Sequence, residues 1–350
     1  MKNTTLNSNK KNSKNIQSKR IYYKLCSTIS IKKYGLIIVF LLFISINEFS
    51  IRINLNSVNN YNNYTNYRNV IHISMSFEEF YFSPSLISIT SVLINAKNDT
   101  FINYHFVVDS TINETHQIMI KSLTKFHSLT NFSFYNASNI FKEFTVRRKH
   151  MKLPAYFLLG LHLYLLNVHK TIYLDSDTLV YSDLSEMYNL DMNGLYFRGI
   201  LDEKVSRKEF NSIKADHFIN SGVLLMNIDK YREDDIFKKT IEYSKSHIMK
   251  QNDQELINAV AYFGIDILPP KYGIPFLDKG LIETLSDSSH QIFYDKNELL
   301  EANKNITIRH YWNDKVWWNG NRSRLYNDFI YYANISGFYN YICNNLNNIY

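Results

Sequence analysis

Two cysteines in 350 residues, Cys26 and Cys343, leave the chain without a disulfide framework to lean on. The first 33 residues contain no acid, yet they hold nine Lys and Arg. Taking those nine from the formal net charge of +7 leaves −2 for residues 34–350. The body therefore lacks the cation excess of a nucleic-acid binder, and the charge belongs to a tail. The sequence contains no internal repeat. The charge-free apolar run after the tail, Tyr34–Ile46, has only 13 residues. As a helix it would span roughly 20 Å, short of the ~30 Å hydrocarbon core of a bilayer. What the chain has in plenty is aromatic surface, with 27 Tyr and 23 Phe, which argues for a globular body with a large core rather than disorder.

The short run still reads as an uncleaved signal anchor. Lys32 and Lys33 can snorkel, a thin early-secretory membrane reduces the mismatch, and Asn47-Glu-Phe-Ser50 offers no small-x-small cleavage site. A cleaved signal peptide is the competing reading. With the anchor, the cations face the cytosol and the body lies in the lumen of the Golgi or ER, as a single-pass type II protein. Cys26 and Cys343 then lie on opposite sides and cannot pair. Eight Asn-x-Ser/Thr sequons between Asn63 and Asn334 are consistent with a glycoprotein in that location. The expected organisation is a basic tail over 1–33, an anchor over 34–46, an Asn-rich stem over 47–69 and one domain over 70–350.

Within the body, Val70–Ser74 alternates as a strand, Phe77–Tyr81 follows as a loop, and Pro84 opens a helix over about 85–96. Strands at 104–109 and 131–135, with helices near 113–127 and 153–168, continue a strand–helix alternation that signals a parallel sheet. The run Thr171–Leu174 reads as a buried strand that stops at Asp175 and Asp177. Ligands bind at the carboxyl ends of strands in such sheets, and paired carboxylates are hard ligands for a divalent cation. Standing alone, Asp-x-Asp is also what a solvated turn capped by its own aspartates looks like. Further on, a strand over 195–201 ends at Asp202. A tight turn at Asn220-Ser-Gly222 runs into an apolar strand, and a helix covers 234–250. Another helix starts at Asn252-Asp-Gln254, and Thr307–Trp312 is the last strand. Tyr and Phe at helical spacing over 322–342 are expected to pack on the core.

The order of these pieces resembles glycosyltransferase family 8, retaining enzymes of the GT-A fold, over roughly residues 70–340. The pieces are Glu78-Glu79-Phe-Tyr81, Tyr173-Leu-Asp-Ser-Asp177 and Asn220-Ser-Gly222 with Asn227 and Arg232. Asp253-Gln254 with Asn258, Leu268-Pro-Pro-Lys-Tyr272 and His310 with Lys315-Val-Trp317 complete them. Three departures stand out. Leu158 takes the place of the family's Arg, although Arg147 and Arg148 are nearby in sequence. Glutamates replace the first acidic pair, and the closing motif is a residue short with Val316 for Pro.

The resemblance implies an α/β GT-A domain with a mostly parallel mixed sheet, acting on a UDP-sugar. It implies that Asp175, Asp177 and His310 hold the metal, Mn²⁺ more than Mg²⁺ because an imidazole joins the carboxylates. Glu79 and Tyr81 would then hold ribose and uracil, and Lys315 a phosphate. Asp202, Asn220 and Gly222 would lie against the donor sugar, with Asp253 and Gln254 at the reacting face. An N-cap is the structural alternative for Asp253, and a core position that for His310. The acceptor is a glycan or glycoprotein, and nucleic acid is not a partner. Two other readings stay open. One is a catalytically silent nucleotide-sugar or glycan-binding relative. The other is a haloacid-dehalogenase-like phosphatase, whose hydrophobic-Asp-x-Asp-x-Thr signature Ile172–Thr178 also resembles, with Asp175 as nucleophile.

Overall fold

Alternation makes the first strand, β1, Asn69–Phe77. Ile71, Ile73, Met75 and Phe77 are buried in the core on one face, and His72, Ser74 and Ser76 occupy the other. The computed structural model describes residues 69–139, 141, 153–202, 218–247, 249, 251–274, 282–283, 286, 294–312 and 314–347. These belong to the unit Asn66–Tyr350; the unit Met1–Thr65, with the basic tail, the 34–46 run and most of the stem, lies outside the described residues. No helix among the described residues is long and apolar enough to cross a membrane.

Helix α1, Glu79–Asn95, begins six residues earlier than its proline suggests. Pro84 sits inside it, because Phe82, Leu86, Ile89 and Leu93 recur on one face and are all buried. As the sixth helical residue, Pro84 has no N–H to give the Phe80 carbonyl, so the ladder forgoes one bond there. Ser85 Oγ donates to the Tyr81 carbonyl at 2.7 Å within the same turns. The expected loop at Phe77–Tyr81 is thus the end of β1 and the first turn of α1, and Glu79 and Tyr81 ride on the helix.

Strand β2, Thr100–Val108, follows, then α2, Glu114–Ser122, and β3, Thr130–Asn136. Asn113 caps α2 by accepting from the His116 N–H at 3.2 Å, and the His116 side chain returns the bond. The expected helix over 153–168 is instead a tighter 3₁₀ coil over Leu153–Leu163. Next come β4, Lys170–Leu174, β5, Thr178–Val180, β6, Phe197–Leu201, and β7, Ile219–Asn227. No turn separates Asn220 from β7: pairing of Ile219 with Leu201 and of Val223 with Leu174 holds Asn220–Gly222 within the strand. The helix expected over 234–250 is α4, Ile236–Ser246; a short helix that was not expected, α3, Ile228–Glu233, precedes it, and the two are separated at Asp235 by a left-handed backbone, φ 52°. Helix α5, Asn252–Val260, strand β8, Ile265–Ile267, helix α6, Lys296–Lys304, and strand β9, Ile308–His310, complete the site-bearing part. The aromatic tail forms α7, Tyr326–Ser336, and α8, Tyr339–Asn347.

The large sheet has the order β3-β2-β1-β4-β7-β6-β8. β1 is parallel to β2 and β4, β7 runs against β4 and β6, and β8 is parallel to β6, so the sheet is mixed. A second, two-stranded sheet pairs β5 with β9. Tyr332, Phe329 and fully buried Trp317 pack with Leu179 of that ribbon, which is how the tail closes the core.

Candidate active site

The strand directions alone gather the site. β1, β4 and β6 run the same way and β7 runs against them. The residues that follow the first three strands, Glu78, Asp175 and Asp202, therefore share one sheet edge with Asn220 at the start of β7. They line a cavity of about 380 Å³ together with Tyr81, Asp177, Asp253, Gln254, His310 and Lys315.

Asp175, Asp177 and His310 offer ligand atoms that all lie within 4.8 Å of one another. The short ribbon delivers the third member: Thr178 of β5 lies opposite His310 of β9 in the pairing register. His310 Nε2 stands 3.1 Å from Asp177 Oδ1 and 3.8 Å from Asp175 Oδ2. Trp312 packs edge-on against the imidazole, with ring centroids 5.3 Å apart. Gly222 makes the cluster possible in a way the sequence did not suggest. A Cβ there would stand 2.1 Å from His310 Cε1 and 2.6 Å from Asp175 Oδ2. The space left by its missing side chain is taken by two of the three ligand groups. Two carboxylates and an imidazole at this separation fit a divalent first-row cation.

Charge is arranged around the same residues. Lys315 Nζ lies 2.7 Å from Asp177 Oδ2, with both side chains largely buried. Burial pushes the Asp177 carboxyl up, but Lys315 and His310 outweigh it and hold it well below the usual carboxylate range. Burial lowers the Lys315 ammonium, and Asp177 and Tyr81 more than reverse this, leaving it raised. Asp175 is raised, by burial and then by Asp177. Asp253 is pushed up to about 7, first by burial and then by the nearby negative charge of Asp175. Tyr81 completes this end, with Lys315 Nζ 5.5 Å from its ring centroid.

On the opposite wall Gln254 is a junction. Its Nε2 donates to Asp202 Oδ2 at 2.6 Å and to Gln251 Oε1 at 2.7 Å, and its Oε1 accepts from Asn220 Nδ2 at 3.0 Å. Asp253 does not cap α5. The cap position is Gln251, no side chain caps it, and Asp253 is the second helical residue. Asn252 before it adopts φ 48°, a left-handed conformation that asparagine tolerates better than most residues, and Asp253 and Gln254 line the cavity after it.

Of the residues singled out from the sequence, the fold brings all but Glu79 and Gly222 onto the cavity wall. Glu79 is exposed and lies off the cavity, whereas Glu78, one residue earlier, is buried and lines it. The difference follows from α1 starting at Glu79, since one residue on a helix turns the side chain by about 100°. Leu158 is buried in the core among Tyr156, Phe157 and Leu159, and Arg147 and Arg148 lie outside the described residues. Trp312, Tyr173, Gln251 and Ser76 also line the cavity and were not anticipated. Tyr173 and Ser76 had a signal, for they flank β4 and β1 ends on the face that carries the site; Trp312 and Gln251 had none beyond adjacency to motif residues.

Residues 72–320 match glycosyl transferase family 8. The chain belongs to that family. Within it, a putative glycosyltransferase of Haemophilus influenzae is 27% identical over 255 residues, covering 71% of this chain and 73% of the relative. The lipopolysaccharide 1,2-glucosyltransferase of Escherichia coli K12 is 26% identical over 152 residues, 41% of this chain and 43% of that protein, so the match spans less than half of it. The galactosyltransferase LgtC, solved with donor and acceptor sugar analogues, superposes with a TM-score of 0.64 at 22% identity, over 76% of this chain and 95% of LgtC. That likeness identifies the fold as GT-A. Membership in family 8 supports glycosyltransferase activity, and neither the family nor these relatives support the phosphatase reading of Asp175 and Asp177.

Proposed function

We propose that this family-8 glycosyltransferase moves a hexosyl or pentosyl group from a UDP-sugar to a glycan or glycoprotein acceptor, with retention of configuration and dependence on Mn²⁺, Mg²⁺ being the second choice. The observation that carries the reading is the convergence of Asp175, Asp177 and His310 beside Lys315 in one cavity. A cation held by those three side chains would neutralise the charge of the departing diphosphate. Lys315 adds a fixed positive charge on the same side, suited to a phosphate oxygen. Tyr81 offers a ring face for uracil, and Glu78, rather than Glu79, is the carboxylate placed to accept from ribose hydroxyls. Asp202, Gln254 and Asn220 form a hydrogen-bonded wall that can exchange partners with sugar hydroxyls. Asp253, as a carboxylate, would stabilise positive charge at the anomeric carbon, which either a double displacement or a same-face attack develops. Because Asp253 is held near 7, that role strengthens as pH rises through neutrality.

The test follows UDP release from a panel of UDP-sugars by the full-length protein, with and without Mn²⁺, beside the Asp175→Ala/Asp177→Ala double variant. Slow Mn²⁺-dependent hydrolysis of one donor, lost in the double variant, is the expected result and names the sugar. UDP bound without turnover of any donor would favour the silent-relative reading instead. No UDP binding would sink the proposal.

We also place the protein in a Golgi or ER membrane through residues 34–46, on the sequence pattern already described. Carbonate extraction of membranes from cells making the full chain should leave it in the pellet, and release into the supernatant would remove the anchor.

A further inference from the structure

Helix α1 presents a ladder of hydroxyls to the segment that carries the two aspartates. Ser85, Ser88, Ser91 and Asn95 fall on one helical face. Ser85 Oγ lies 2.8 Å from Ser176 Oγ, and Ser88 Oγ pairs with Thr178 Oγ1 at 2.9 Å. Ser91 Oγ accepts from the Val180 N–H at 2.9 Å, and Asn95 Nδ2 donates to the Val180 carbonyl at 3.0 Å. Rung by rung, the helix follows the chain from the Asp-x-Asp loop along β5. All four serine and threonine hydroxyl carriers at its centre, Ser85, Ser88, Ser91 and Thr178, are essentially inaccessible to solvent.

The pairing at Ser88 differs from ordinary helix serines. Ser85, Thr90 and Ser91 each donate back to a carbonyl one turn earlier, Tyr81, Leu86 and Ser88 respectively. Ser88 reaches across to β5 instead. Thr178 has a single hydroxyl proton, and it goes to the main-chain carbonyl of Asp175 at 2.9 Å. The proton between Ser88 and Thr178 is therefore supplied by Ser88. The result is a directed relay, Ser88 O–H to Thr178 O–H to the carbonyl of Asp175. On its other side Asp175 donates its N–H to the Gly222 carbonyl at 2.8 Å. An apolar seam would pack helix against strand equally well, and burying hydroxyls costs stability unless they are paired. The hydroxyls add direction: they clamp the backbone of one aspartate in a fixed relation to β5, whose partner strand carries His310.

We propose that Ser88 and Thr178 are positioning residues that fix Asp175 relative to Asp177 and His310 for divalent-cation binding. The inference rests on the metal-site reading given above. The atoms next to a metal site commonly matter nearly as much as the ligands, at roughly 10- to 100-fold in affinity. The full-length protein and its Thr178→Val, Thr178→Ser and Ser88→Ala variants are titrated with Mn²⁺ in the absence of nucleotide, with the free ion read by electron paramagnetic resonance. Thermal melting is followed in parallel. Thr178→Val keeps the side-chain shape and deletes the relay, so Mn²⁺ affinity should fall by about 10-fold or more. Thr178→Ser restores the hydroxyl and should bind within about threefold of wild type, a rescue that packing alone would not produce. A folded Thr178→Val protein with wild-type affinity overturns the proposal. Should that variant not fold, Ser88→Ala decides, and wild-type affinity there overturns it equally. Wild-type protein that takes up no Mn²⁺ overturns the metal-site reading itself, and this inference with it.

Discussion

Gly222→Ala is expected to give a folded protein that has lost most of its affinity for a divalent cation and with it most of its turnover. The position is inside β7, so a strand residue with a side chain is tolerable to the backbone, and no left-handed angle is involved. The obstruction is local. The new methyl would sit 2.1 Å from one atom of the His310 ring and 2.6 Å from an Asp175 carboxylate oxygen, far inside contact distance. Asp175 can rotate away. His310 is held in β9 by pairing and has Trp312 against its ring, so relief comes by spreading the ligand set. Displacement of a reacting or ligating group by about 1 Å typically costs on the order of 10²-fold in rate. Mn²⁺ titration and UDP release should both fall by about that factor, with a melting temperature close to wild type. A Gly222→Ala protein that binds Mn²⁺ normally would show that the ligands do not meet where the glycine leaves room.

The second large effect belongs to Asp253. Its carboxyl is raised to about 7 by burial and by Asp175, so the folded protein holds this proton more tightly than the unfolded chain does. The stability it contributes is whole below the unfolded value of 3.8 and is lost as pH rises through about 7. A shift of about three units corresponds to at most ~4 kcal/mol across that window. Urea unfolding in chelator should therefore show wild type losing stability relative to Asp253→Asn between about pH 4 and pH 8. Parallel pH profiles for the two proteins would remove the buried-acid assignment. A cation beside Asp175 opposes the negative charge that helps raise Asp253, so Mn²⁺ uptake near pH 6.5 should release protons, and Asp253→Asn should reduce that release. Asp253→Asn should also lose turnover at every pH, because an amide cannot supply the negative charge.

How much of this was legible in the sequence differs by element. Strands announced themselves by alternation or by apolar runs, because a residue on a sheet reports its face with a period of two; β1, β2, β4 and β9 needed nothing else. Helix boundaries fared worse. Pro84 was a start signal that burial of Phe82 and Leu86 overrode, and the short α3, set off from α4 by the left-handed angle at Asp235, went unread. Helix α6 went unnoticed although Asp295 caps it, accepting from the Asn297 and Glu298 N–H groups at 2.8 and 3.2 Å. That Asp-x-x-Glu start was there to be read. At the site, motif order placed Asp175, Asp177, Asp202, Asn220, Asp253, Gln254, His310 and Lys315 in one cavity. It chose Glu79 where the cavity is lined by Glu78, since that choice depends on where a helix begins to turn. It also gave Gly222 a sugar-facing reason, when the nearest atoms to the absent side chain are ligand atoms contributed by strands far away in sequence.

The two-stranded ribbon of β5 and β9 has a consequence for the order of synthesis. Asp175 and Asp177 leave the ribosome well over a hundred residues before His310, and Lys315 follows later still. Until β9 arrives, the nascent sheet has two carboxylates at its edge and neither the imidazole nor the ammonium that balances them. The proposed cation site is therefore incomplete in any nascent chain that stops short of His310, and its ligand set is whole only once β9 has been made. A ribosome-stalled chain ending just before residue 308 should fold much of the large sheet while remaining blind to Mn²⁺, and one extended past the tail should not.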